Sequence, residues 1–169
     1  MKRSGKPLAW LFIATAACGV DLVAPEDLPP IFSAPELETS SWQRLVRDAF
    51  SYAIPPGFMD TGGTPIDSDA VNHARGENSL HHDFGLYSGE WRPSGNENVS
   101  DIEEVWTVLG GRRAQLVSYR LDGRYVVRAW WESVVRSSYG DLHLVLRGES
   151  MTLGVREELL AAIHSVRFD

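Results

Sequence analysis

The pattern of apolar and polar positions is clearest in the second half of the chain. Residues 104–109, 113–121, 125–135 and 142–147 are rich in Val, Leu, Trp and Tyr and are separated by turn chemistry. Such short runs bounded by turns read as strands. Gly110 and Gly111 join the first pair, and Asp122 with Gly123 joins the second as a type I′ hairpin, so an antiparallel meander is expected. After it, Val155, Leu159, Ala162, Ile163 and Val166 recur at helical spacing from Gly154 onward. Glu157 and Glu158 are expected in the first turn, at the positive end of that helix, which would cover one face of the sheet.

The first half is less regular. In residues 42–50 the apolar positions Trp42, Leu45, Val46, Ala49 and Phe50 fit a helix, with Ser40 and Gln43 as a capping box. Yet Phe50, Tyr52 and Ile54 alternate as a strand into the turn Pro55, Pro56, Gly57, which makes residues 42–46 the first arm of a hairpin instead. Residues 59–80 are rich in Gly, Asp and Thr, lack periodicity and read as a loop. Residues 80–87 read as a strand, and 88–100 as a second polar loop. Two long loops beside one sheet are where a site is expected.

The N-terminus carries a different signal. Lys2, Arg3 and Lys6 form a basic start, residues 8–13 an apolar run, and Ala14, Thr15, Ala16 and Ala17 a small-residue stretch before Cys18. This is the pattern of an export signal over residues 1–17, too short to span a bilayer as a helix. Small residues directly before the only Cys resemble the lipobox of bacterial lipoproteins, whose Cys is acylated and becomes the mature N-terminus. Thr15 departs from the aliphatic residue usual there, and cleavage before Ala17 would give a secreted protein instead. Gly19 after the Cys resembles the pattern that does not retain lipoproteins at the inner membrane of Gram-negative cells. One Cys forms no internal disulfide, and a lipid on Cys18 would remove a free thiol from an oxidising compartment. Residues 18–40, with Pro25, Pro29, Pro30 and Pro35 among acidic residues, read as an extended tether to a single globular domain at 41–169.

Charge narrows the partners. Of the 16 basic residues in the 169-residue chain, three lie in the signal, which leaves 13 Arg against 23 acidic residues, a net charge of −10. Such a surface repels phosphate backbones, so nucleic acid is not an expected partner. Arg112 and Arg113 read as a solvated hairpin end.

Candidate chemistry is sparse. His81, His82 and Asp83, with His73 and Glu77 nearby, are the one concentration of metal-ligating types. On a strand His81 and Asp83 share a face that His82 cannot join, so edge or loop histidines are expected rather than a metal centre. Asp67 and Asp69 lack the later ligands and glycine of a calcium loop, and no metal or other cofactor is expected. No GxSxG elbow, HExxH helix or phosphate loop occurs. Trp130 and Trp131 are adjacent on a strand and face opposite sides; core packing is expected for both, the alternative being an aromatic platform with Trp91 on an open face.

The segment FSYAIPPGF at residues 50–58, the meander, and a terminal helix running into HSVRF resemble the PsbP-like superfamily. That superfamily includes the photosystem II extrinsic subunit P and many exported bacterial lipoproteins. PIDSD from Pro65 and HHDFGLYSG from His81 are also similar to such bacterial proteins. The resemblance covers residues 42–169, favours the hairpin reading of 42–54, and implies no shared catalytic residues. The expectation is therefore an α+β fold, a twisted antiparallel sheet of about six strands with the C-terminal helix packed on it. Function is expected to be that of a lipid-anchored envelope protein, exported and facing the periplasm or cell exterior, with a non-enzymatic accessory or binding domain and an envelope protein as a possible partner. The alternative is a small-ligand or metal-dependent enzyme using the loops around Asp67, Asp69, His81 and Asp83, with Trp91 as a further candidate contact.

Overall fold

The computed structural model describes residues 35–62, 68–86, 88, 89 and 98–169. Cys18, Asp67 and Trp91 lie outside the described residues, as do the signal and most of the tether. Among the described residues the fold is α+β, mostly strand with one helix near the C-terminus.

Residues 42–54 form a hairpin, not a helix: β1 (Gln43–Val46) pairs antiparallel with β2 (Phe50–Ile54). Helical spacing of the apolar residues there is overruled by tertiary pairing, because β2 is also held on its other side by β10 (Arg167–Phe168). Pro56 and Gly57, the latter at φ +78°, make the turn after β2, closed by Phe58 N–H donating to Pro55 O at 3.2 Å. The expected loop at 59–80 is corrected: it holds β3 (Met59–Gly62), β4 (Ser68–Arg75) and the start of β5 (Asn78–Gly85). The meander follows as β6 (Val99–Leu109), β7 (Arg112–Leu121), β8 (Arg124–Ser137) and β9 (Gly140–Ser150). Its turns use the glycines that the pattern marks: Gly110, Gly111 and Gly123, with Asp122, all have positive φ, as a type I′ turn requires.

The expected count of about six strands is likewise corrected. One antiparallel sheet has seven strands in the order β3-β4-β5-β9-β8-β7-β6, and a separate sheet has three in the order β1-β2-β10. Helix α1 (Leu153–His164) and the small sheet cover the same face of the large one. Thr152 caps the helix, accepting from Val155 N–H, and Glu157 and Glu158 fall beyond the first turn, so the dipole role expected of them is not realised.

The core lies between these layers. From the large sheet come Leu80, Leu116, Ala129, Trp131, Leu144 and Leu146; from the small sheet Phe50, Tyr52 and Ile54; from the helix Leu159, Leu160 and Ile163. Gly148 sets the helix-to-sheet approach, since a Cβ there would sit 2.8–2.9 Å from Leu159 side-chain atoms. Trp131 is fully buried, donates Nε1–H to Leu109 O, and meets Phe168 edge to face. The described end of the tether, Pro35, Leu37 and Thr39, borders a small groove with Ala161, His164 and Ser165.

Candidate functional site

Cross-strand register sorts the candidates onto two faces. Asp69, Val71 and His73 of β4 alternate with Ala70 and Asn72, and they pair with Phe84, His82 and Leu80 of β5 on the core face. His81 and Asp83 share the opposite face, as the alternation predicts. His81 Nδ1 bonds the Asn72 amide oxygen at 2.7 Å, and burial lowers its pKa. Asp69 is therefore not brought to His81 and Asp83, and among the described residues no group of three His, Cys, Asp or Glu side chains could hold a metal.

That opposite face is covered around Trp130, so it offers no open platform there. Trp130 donates Nε1–H to Ser88 O at 3.0 Å, stacks on His143 and meets Trp106 edge to face. Beside it Arg128 faces Arg147 across β8 and β9 and donates to Gly89 O. Burial lowers the Arg128 pKa to about 10. Arg112 and Arg113 are not simply solvated: their guanidiniums lie over Phe168 and Trp106, 4.8 and 4.2 Å from the ring centroids.

The concave feature lies on the core side, where the β1–β2 hairpin meets the open end of the large sheet. A cleft of about 480 Å³ is lined by residues 43–47, Ile54, Phe58, Met59, Asp60 of β3 and His73 of β4. Behind Asp69 a second hollow of about 270 Å³ is lined by Val46, Arg47, Ala49 and Phe84 among others. Arg47 borders both and pairs with Asp69 of the second, Nε to Oδ2 at 2.7 Å.

His73 lines the cleft, and Tyr52, which meets both His73 and His82 edge to face, lies with His82 deeper in the core. Tyr52 is fully buried, and its hydroxyl and His82 Nδ1 share a 2.8 Å hydrogen bond. His82 Nε2 stands 3.6 Å from Asp69 Oδ1, beyond hydrogen-bond length, and has no hydrogen-bond partner among the described residues. The negative carboxylate beside Nε2 favours the proton there, which leaves Nδ1 to accept from Tyr52. Burial dominates the titration of both: His82 is pushed down to about 4 and Tyr52 up, so both are neutral near pH 7. His73 is 3% exposed, its Nδ1 lacks a partner, and its pKa is lowered, first by burial.

Of the residues singled out from the pattern, His73 lines the cleft and Asp69 borders the second hollow and holds Arg47; His81 and Asp83 line neither. Arg47, Asp60, Tyr52 and His82 acquire their significance only from the folded chain, because Tyr52 and His82 are 30 positions apart and meet through packing. Comparison of the chain with protein families, with curated proteins and with solved structures finds no match.

Proposed function

We propose that the protein is exported, anchored by lipid on Cys18, and binds a small polar ligand in the cleft between the β1–β2 hairpin and β3–β4, without turning it over. The observation that carries the ligand part is His73, which lines the cleft and whose buried Nδ1 has no hydrogen-bond partner among the described residues. A buried polar atom without a partner costs about 1–3 kcal/mol, and a ligand group that reaches it through a small shift of the ring removes that cost. Cleft volume falls in the range of small-molecule sites, and Gln43, Arg44, Arg47, Asp60 and His73 make half of its lining polar or charged, which suits a polar ligand. Non-enzymatic action is supported by the closure of Tyr52 and His82 behind the cleft, fully buried and bonded to each other.

A PsbP-like domain is part of the same reading. It is supported by the meeting of the two segments that carry the resemblance: Phe50 and Ser51 pair with Phe168 and Arg167, and Ser165 Oγ accepts from Ala53 N–H at 2.7 Å. The lone Cys after small residues supports the anchor.

Native mass spectrometry of the mature protein from membranes of its own cells, followed by denatured intact mass, tests both parts. The expected result is a chain beginning at acylated Cys18, carrying a small adduct lost on denaturation and absent from His73→Phe. A chain beginning at Ala17 overturns the anchor. A chain without an adduct, even after incubation with a small-molecule extract of those cells, overturns the ligand reading.

A further inference from the structure

The cleft offers opposite charges at two ends of one strand face. At one end Arg47 is pinned to Asp69 through Nε, while Nη1 makes only a 3.4 Å contact to Val46 O, so the terminal nitrogens remain a fork suited to a carboxylate. At the other end Asp60 stands opposite His73 across β3 and β4. One oxygen of Asp60 accepts from Gly62 N–H at 2.7 Å, which leaves the carboxylate capacity for a cationic donor. Both charges act on the His73 imidazole, Asp60 raising and Arg47 lowering its pKa beneath the larger effect of burial.

The spacing of the ends selects a ligand. Asp69, which holds Arg47, and His73, which faces Asp60, are four residues apart on β4, so the backbone anchors behind the two charges are roughly 13 Å apart at strand rise. Two or three extended residues span about 7–11 Å, within that anchor spacing, with the Arg47 and Asp60 side chains reaching toward the termini.

The wall between the ends is itself a strand edge. Arg47 N–H donates to Phe50 O at 2.9 Å, so residues 47, 45 and 43 form the bonded pairs with β2, and the N–H and C=O groups of Arg44 and Val46 turn away from it. Among the described residues β1 has no second strand partner, and residues 43–47 line the cleft throughout. Main-chain groups there are available to an extended peptide.

We propose that the cleft binds a short peptide of two or three residues with free termini, its carboxylate on Arg47, its ammonium on Asp60 and its backbone along β1. This rests on the ligand reading of the cleft given above.

Calorimetric titration of the intact mature protein in detergent micelles with Ala-Ala and Ala-Ala-Ala tests it, against N-acetyl-Ala-Ala, Ala-Ala-amide and free alanine. Blocking either terminus is expected to weaken binding by about tenfold or more. Arg47→Gln is expected to abolish discrimination against the amide, and Asp60→Asn discrimination against the acetylated form. Because Arg47→Gln also loses the Asp69 pair, the Asp60→Asn result stands as the independent arm. Equal binding of free and blocked peptides, or no binding at about 10 mM, overturns the peptide assignment. If the natural adduct is then seen and is not displaced by either peptide, the ligand reading survives and only the peptide fails; if no adduct is seen either, both fail.

Discussion

Replacing His82 with Asn tests the buried imidazole behind the cleft through a predicted change in pH dependence. His82 is held neutral in the folded protein because burial pushes its pKa down to about 4, whereas in the unfolded chain it titrates near the ordinary 6.5. Between those values the unfolded state binds the extra proton, so stability contributed by the neutral group is present above pH 6.5 and is lost as pH falls toward 4. At 1.36 kcal/mol per pKa unit the full loss is about 3 kcal/mol, of which about 2.5 kcal/mol falls between pH 7.5 and 4.5. His73 and His81 are shifted in the same direction and contribute to both proteins alike. The difference between wild type and His82→Asn therefore isolates one group. Asn keeps a polar atom near the Tyr52 hydroxyl but never charges in this range. Urea unfolding at four pH values should show the wild type losing about 2.5 kcal/mol more than the variant across that interval. Parallel curves, whatever the absolute offset, would refute the claim that His82 is neutral because it is buried.

Tyr52→Phe removes the donor to His82 Nδ1 and should cost about 1–3 kcal/mol at pH 7.5, read by the same urea unfolding; an unchanged midpoint would contradict the buried bond. Gly148→Ala pushes a methyl to within 2.8–2.9 Å of Leu159 side-chain atoms and should cost about 1–3 kcal/mol, a drop of roughly 3–10 °C in Tm by calorimetry. The cost should shrink when Leu159→Ala vacates the space, and strict additivity of the two changes would show that the close approach is not what matters. Cys18→Ser should move the protein from the membrane to the soluble fraction on cell fractionation, whereas continued membrane association would dismiss the lipid anchor.

The parts of the fold legible in the chain are those set by neighbours in sequence. Asp122-Gly123 and Gly110-Gly111 announce their turns because positive φ at both positions is a local demand, and the strands on either side follow from it. Strand β4 was hidden because its inward positions are Asp69, Val71 and His73, so the buried face does not read as apolar. Those two polar residues are inward because of what meets them: Arg47 from the β1–β2 turn lies on Asp69, and Asp60 from β3 stands opposite His73. The same long-range cause decides residues 42–50, whose helical spacing loses to a strand when β10, from the far end of the chain, pairs with β2.

The site follows this division. The alternation on β5 correctly separates His82 from His81 and Asp83, but alternation alone does not say which face is the functional one. Concentrated ligand types point to His81 and Asp83, yet their face meets no third ligand among the described residues. His82 gains its role from Tyr52 and Asp69, groups contributed by β2 and β4, which approach only because the small sheet packs over the large one. The cleft exists for the same reason: two sheets share a core but leave their strand edges apart at β1 and β3. The polar groups at that junction, Arg47, Asp60 and His73, are thus a consequence of how the two sheets meet, and its chemistry is carried by residue types that look ordinary one strand at a time.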